Sequence, residues 1–149
     1  MKPVNVGIVG LGTVGSGTFN VLSRNSADIA RRAGREIAVT HVGARRDNPS
    51  VDTTGVAVSR DIFAVVTDPN IDIVVELIGG TTVAFELVMK AIENGKHIVT
   101  ANKALIAEHG NEIFAAAQEK GVNVAFEAAV AGGIPIIKAI GEGLAANGL

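Results

Sequence analysis

The stretch GIVGLGTVGSG, residues 7–17, places five glycines in eleven positions, where an apolar run ends. That run, Val4–Val9, predicts a buried strand, and residues 13–23 predict a helix that continues to Ala33. Between them lies the sequence Gly10-Leu11-Gly12-Thr13-Val14-Gly15, which has the pattern G-x-G-x-x-G. A strand, a glycine-rich turn and a helix in this order are typical of a dinucleotide-binding fold.

Each glycine of this pattern has a steric role. Gly10 permits the tight turn, Gly12 lets a pyrophosphate approach the backbone, and Gly15 permits close packing of helix on strand. The amides of the residues between them would point at the anion, at the positive end of the helix dipole. A glycine-rich turn without a ligand is the alternative, and the strand that follows favours dinucleotide binding. The predicted cofactor-binding residues here are Gly10, Leu11, Gly12, Thr13, Val14 and Gly15.

Outside this stretch, short apolar runs alternate with longer segments of helical character. Further strands are predicted over residues 37–43, 71–78, 97–100 and 122–126, and further helices over residues 61–66, 83–94 and 108–120. Apolar strands joined by helices imply a parallel sheet that is covered on both faces and has right-handed crossovers. The predicted fold is therefore α/β, a doubly wound parallel sheet of Rossmann type in three α/β/α layers.

Composition excludes several classes of protein. The 149 residues, 48% hydrophobic, suffice for one substantial core and predict one domain over residues 1–149. A net charge of −2 without a basic block argues against nucleic-acid binding, and the lack of cysteine excludes disulfides and thiolate metal sites. Neither a signal peptide nor an apolar run of membrane-spanning length is present. We therefore expect a soluble, cytoplasmic protein without membrane contact.

The end of the second strand decides between NAD and NADP. An acidic residue there would accept a hydrogen bond from the ribose 2′-hydroxyl, but Glu36 precedes the strand and would lie at its far end. Arg45 and Arg46 follow the strand, and an arginine can bind a 2′-phosphate through two parallel hydrogen bonds. We therefore expect both arginines to bind the cofactor and to favour NADP; an ordinary solvated pair is the alternative.

Three further segments, in register with the glycine motif, resemble one enzyme family. They are VVELIGG at 74–80, TANKAL at 100–105 and EAAVAGGIPII at 127–137. With GLGTVG they resemble the amino-terminal, nucleotide-binding part of homoserine dehydrogenase, and the resemblance covers essentially the whole chain. It implies the interconversion of L-homoserine and L-aspartate 4-semialdehyde with NADP or NAD, in threonine, methionine and isoleucine biosynthesis, by a homo-oligomer.

The resemblance also implies roles for particular residues. By position, Gly79 would contact the cofactor, and Lys103 would lie beside the nicotinamide and the reacting oxygen, as a catalytic and cofactor-binding residue. A lysine can donate hydrogen bonds to a developing alkoxide, and carbonyls with one carboxylate suit an alkali cation. A loop lysine at 103 and a helix cap at 127 are the alternatives. The resemblance implies a structural sodium ion held by Glu127, Val130, Gly132 and Ile134.

The remaining polar residues give less specific expectations. Glu76, at the end of an apolar strand, would face the cofactor crevice or pair with a lysine. His41, His97 and His109 lack metal-ligand spacing and are expected in core or surface roles.

The family's substrate-binding and dimerisation region would begin near residues 130–149, and its acidic residues and second lysine are not in this sequence. The chain is therefore expected to be the cofactor-binding portion of a longer, active polypeptide and to be inactive alone. A non-catalytic NAD(P) sensor and a dehydrogenase for another amino acid are the alternatives, since fold alone does not decide function.

Overall fold

The computed structural model describes residues 3–24, 27, 31, 36–46, 48, 49 and 51–126. Strands in these residues are β1 (Val4–Val9), β2 (Ile37–Gly43), β3 (Ala57–Ser59), β4 (Ile73–Glu76), β5 (His97–Thr100) and β6 (Val124–Phe126). The helices are α1 (Thr13–Arg24), α2 (Phe63–Val66), α3 (Val83–Glu93) and α4 (Lys103–Lys120).

The six strands form one sheet in the order β3-β2-β1-β4-β5-β6, and every neighbouring pair is parallel. Strands β2 and β3 are added in turn on one side of β1. Strands β4, β5 and β6 are then added in turn on its other side. The order therefore reverses between β1 and β4, and in such sheets ligands bind at the carboxyl ends of the strands beside this reversal. The prediction of a doubly wound parallel sheet is confirmed.

Apolar side chains cover both faces of the sheet. On one face, Val6 of β1 lies in a buried cluster with Phe19 of α1. On the other face, Val74 of β4 lies in a second cluster with Leu87 of α3 and Ile113 of α4. Burying a side chain of this size contributes roughly 1.5–3 kcal/mol, so these two clusters hold the helices on the sheet. The three predicted layers are thereby formed.

Glycines end two of the helices. Gly95 follows α3 with a φ of 77°, and Gly121 follows α4 with a φ of 72°, both in the left-handed region. Only glycine adopts this conformation without a steric cost from Cβ, which explains the Asn-Gly and Lys-Gly pairs at these ends.

Several boundaries differ from the predictions. Helix α4 begins at Lys103 rather than at 108, because the Asn102 side chain accepts a hydrogen bond from the Leu105 amide at 3.0 Å and caps the helix. The strand predicted over 71–78 is shorter, and the last strand begins at Val124 rather than at 122. Strand β3 was not predicted, because it has three residues and lies at the sheet edge. The continuation of the first helix to 33 falls largely outside the described residues.

No helix in the described part of the chain is both long enough and apolar enough to cross a membrane.

Candidate functional site

The glycine-rich turn lies at the carboxyl end of β1, next to the reversal of strand order. Gly10 has a φ of 106°, and its amide donates to the carbonyl of Gly43 at 2.8 Å. A Cβ at Gly15 would lie 1.9 Å from the carbonyl oxygen of Gly10, so α1 packs directly on the turn. A Cβ at Gly12 would meet no atom within 4 Å. The turn is thus closed by two glycines and leaves open space above Gly12, as its motif predicts for a pyrophosphate site.

A cleft of about 700 Å³ adjoins this open space. Its walls come mainly from the ends of β1, β2 and β4 and the loops that follow them, with Ile62 beside them. The lining residues of these three segments are 10–12, then 43–46 with 48 and 49, and 77–83. The cleft has room for a ligand of dinucleotide size, since small-molecule sites span roughly 300–1,000 Å³. The predicted site residues that line it are Gly10, Leu11, Gly12, Arg45, Arg46 and Gly79.

Other predicted site residues lie beside the cleft or outside the described structure. Thr13, Val14 and Gly15 form the first turn of α1, directly behind the glycine-rich turn. Lys103 is exposed at the start of α4 and does not line the cleft, but the preceding Asn102 donates from Nδ2 to the carbonyl of Gly80 at 2.6 Å. The predicted sodium ligands lie outside the described residues; they are Glu127, Val130, Gly132 and Ile134.

Three arginine residues lie at or near the place where the cleft meets the end of β2. Arg45 and Arg46 are exposed, and neither makes a hydrogen bond or ion pair with another residue of the described ranges. Arg60 lies close by, because its Nη1 donates to the carbonyl of Ala44 at 3.1 Å. Arg60 was not among the predicted site residues, because it follows β3, a strand that was not predicted. This end of the cleft is therefore suited to an anionic group.

A hydrogen bond from Asn48, which was not among the predicted site residues, joins the loop after β2 to the glycine-rich turn. Asn48 donates from Nδ2 to the carbonyl of Leu11 at 2.7 Å, and both residues line the cleft. The sequence predicts a turn at Asp-Asn-Pro-Ser but contains no signal for this long-range contact. The two loops that would surround the adenosine and phosphate groups are thus joined by a hydrogen bond.

The structure shows Glu76 in neither of its two predicted roles, which were to face the cofactor crevice and to pair with a lysine. Its side chain is 0% exposed, so it does not face the cleft, and no lysine contacts it among the described residues. One carboxylate oxygen accepts from the amides of Ile78 and Gly79, at 2.9 and 3.3 Å. The other accepts from the Thr100 hydroxyl at 2.7 Å. The prediction failed because a carboxylate can be stabilised in the interior by backbone amides and a hydroxyl, without a cation.

The three histidines lie in the core or contact neighbouring side chains of the fold. His41 is buried, and its Nδ1 lies 2.8 Å from Oδ2 of Asp68. His97 is also buried, and burial lowers the pKa of its imidazole. His109 stacks on Phe85 with 4.0 Å between ring centroids. Their contacts agree with the expected core and surface roles.

Residues 10–127 match a family model described as "Homoserine dehydrogenase, NAD binding domain". The chain belongs to this family. Its cleft is accordingly part of a domain for a nicotinamide dinucleotide. A homoserine dehydrogenase of Pseudomonas aeruginosa is 72% identical over 147 residues, which are 99% of this chain and 34% of that protein. One of Neisseria gonorrhoeae is 57% identical over 153 residues, again 99% of this chain and 34% of that protein.

Solved structures of the family share the fold. A homoserine dehydrogenase from Thiobacillus denitrificans superposes with a TM-score of 0.81 at 61% identity, covering 97% of this chain and 34% of that one. One from S. aureus gives a TM-score of 0.77 at 33% identity, covering 86% and 33%. The chain therefore spans about a third of the length of these family members.

Proposed function

We propose that this chain is the cofactor-binding portion of a homoserine dehydrogenase, which interconverts L-homoserine and L-aspartate 4-semialdehyde with NADP. The observation that carries the proposal is the coincidence of the family match with an open cleft at the strand-order reversal. In this fold the adenosine lies by β2 and the pyrophosphate on the glycine-rich turn, which leaves the loop after β4 for the nicotinamide half. The nicotinamide supplies the hydride chemistry, and the chain binds and orients it.

Lys103 is the proposed catalytic residue of this chain. It stands at the start of α4, one residue after Asn102, which contacts the cleft wall at Gly80. From this position its ammonium group would donate a hydrogen bond to the alcohol or carbonyl oxygen of the substrate. Such a bond strengthens as negative charge develops on that oxygen, and it therefore lowers the barrier.

The rest of the proposed function follows from the family resemblance. Glu127 and the backbone around residues 130–134 would hold a structural sodium ion, for which carbonyl and carboxylate oxygens are suitable ligands. The complete enzyme would be a cytoplasmic homo-oligomer whose remaining active-site residues lie in its other regions.

We expect residues 1–149 alone to bind NADPH but not to turn over homoserine at a useful rate. Orientation of the substrate accounts for about 7–11 kcal/mol of a barrier, and cofactor binding alone does not replace it. Calorimetry with NADPH and absorbance at the reduced-nicotinamide band would measure the two properties. The natural polypeptide that carries this chain is the positive control and should oxidise homoserine. If it binds NADPH without any turnover, the chain belongs to a nucleotide sensor instead.

Arg45→Ala should weaken NADPH binding and leave NADH binding nearly unchanged. A hydrogen bond to a charged group contributes about 1.5–3 kcal/mol, so its loss corresponds to roughly tenfold or more in Kd. Titration of both cofactors measures the difference. Arg24→Ala is the matched control, because it removes an arginine at the far end of α1, about 18 Å along the helix from its start. Equal losses for NADPH and NADH would refute the 2′-phosphate role of Arg45.

A further inference from the structure

A closed ring of hydrogen bonds joins the loop after β4 to the loop after β5. Glu76 and Thr100 are partners across these two parallel strands, and the Thr100 hydroxyl donates to the Glu76 carboxylate. The Thr100 oxygen in turn accepts from the Asn102 amide at 3.0 Å. Asn102 donates from its side chain to Gly80, and the ring closes through Gly79, whose amide donates to Glu76.

The carboxylate in this ring differs in character from the rest of its strand. The neighbouring β4 positions Val74 and Val75 are apolar and fully buried, so Glu76 is a charged residue in an otherwise apolar strand. Burying a charged group is costly unless it is hydrogen-bonded, and Glu76 has three such bonds and no cationic partner among the described residues. Every one of those donors belongs to the β4 loop or to the end of β5. The hydrogen bonds of the carboxylate therefore hold the two loops and make no contact with other parts of the core among the described residues.

The β4 loop contains an unusually flexible sequence. Gly79 and Gly80 are consecutive, and both have a φ of 75° in the left-handed region. Two adjacent glycines have many accessible conformations, so this loop needs fixed partners to keep one of them. Glu76 accepts from the amide on one side of the pair, and Asn102 donates to the carbonyl on the other. The ring thus supplies the partners that select this loop conformation.

We propose that Glu76 is a positioning residue, which acts through Thr100 and Asn102 to fix the cleft wall at residues 77–80 together with the start of α4. This inference rests on the proposed function, since that wall faces the nicotinamide half of the cofactor. A preformed wall binds its ligand without the entropic cost of ordering two glycines. Because Asn102 also caps α4, the same ring fixes the helix start that carries Lys103.

The test compares NADPH with 2′-phosphoadenosine 5′-diphosphoribose, which lacks nicotinamide, in the natural polypeptide that carries this chain. Thr100→Val preserves shape but removes the hydroxyl that links Glu76 to Asn102. We expect it to weaken NADPH binding by about tenfold, the typical effect of losing a hydrogen bond to a charge, and to change the fragment's Kd by less than about twofold. Thr100→Ser keeps the hydroxyl and should restore the affinity for NADPH.

Asn102→Asp is an independent variant. It tests whether the ring positions the cleft wall even if Thr100→Val does not fold. Aspartate keeps the oxygen that caps α4 but replaces the donor to Gly80 with an acceptor, so the wall should lose its fixed position. The same selective loss for NADPH is expected. Asn70→Asp is the matched control, because it adds the same charge at an exposed turn before β4.

The outcomes separate this inference from the function on which it rests. A loss confined to NADPH in both variants supports the positioning role of Glu76. Equal losses for both ligands would mean a general structural role, and unchanged affinities would mean no role; either result overturns the inference. If the unmutated polypeptide fails to bind NADPH at all, the proposed function is wrong and the inference falls with it.

Discussion

Gly12→Val should abolish NADPH binding while the chain remains folded. A Cβ at Gly12 would meet no atom within 4 Å, so we expect the fold to accept a valine there. It would, however, occupy the space in which the pyrophosphate approaches the backbone. Loss of two charge-assisted contacts, at about 1.5 kcal/mol each, predicts a Kd increase of roughly a hundredfold or more. A fluorescence titration with NADPH, together with the midpoint of thermal unfolding, measures both properties.

The matched control is Gly17→Val, because a Cβ at Gly17 would also meet open space but lies farther along α1, outside the cleft. Its affinity for NADPH should equal that of the unmutated chain. If Gly12→Val binds NADPH normally, the glycine-rich turn does not hold the pyrophosphate, and the proposed placement of the cofactor is wrong.

Lys103→Ala should lower kcat by about 10²–10³-fold in the natural polypeptide, the effect of removing one hydrogen-bond donor at a reacting oxygen. The Kd for NADPH should change little, because Lys103 does not line the cleft that would hold the dinucleotide. Steady-state kinetics with homoserine and a direct titration of NADPH separate the two quantities. An effect on kcat without an effect on Kd is typical of an interaction made in the transition state.

Lys120→Ala is the control for Lys103, because it removes a lysine at the opposite end of the same 18-residue helix, about 27 Å away. Its kcat should be unchanged. A normal kcat in Lys103→Ala would leave Lys103 as an exposed helix residue without a catalytic role.

Features that depend on local sequence were predicted correctly. The strand, turn and helix around Gly10 follow from an apolar run and a glycine pattern. The parallel sheet follows from the alternation of strands and helices, because that connection has one favourable arrangement. These signals lie within a few residues of one another in the chain.

Features that depend on distant residues were missed or wrongly assigned. The position of Arg60 depends on β3, whose exposed edge position gives no apolar signal. The environment of Glu76 depends on Thr100, which is 24 residues away, and on the loop conformation between them. Such long-range pairings come from sheet register, which a single sequence does not specify for strands of four residues.

Arg45 and Arg46 have no hydrogen-bond or ion-pair partner in the described part of the chain, which has a consequence for cofactor engineering. Substitutions at exposed positions without partners usually change the free energy of unfolding by less than about 0.5 kcal/mol. If these arginines bind the 2′-phosphate as proposed, replacing them would change the cofactor preference at almost no cost in thermal stability. Gly15 has no such freedom, because a Cβ at this position would collide with the backbone of Gly10.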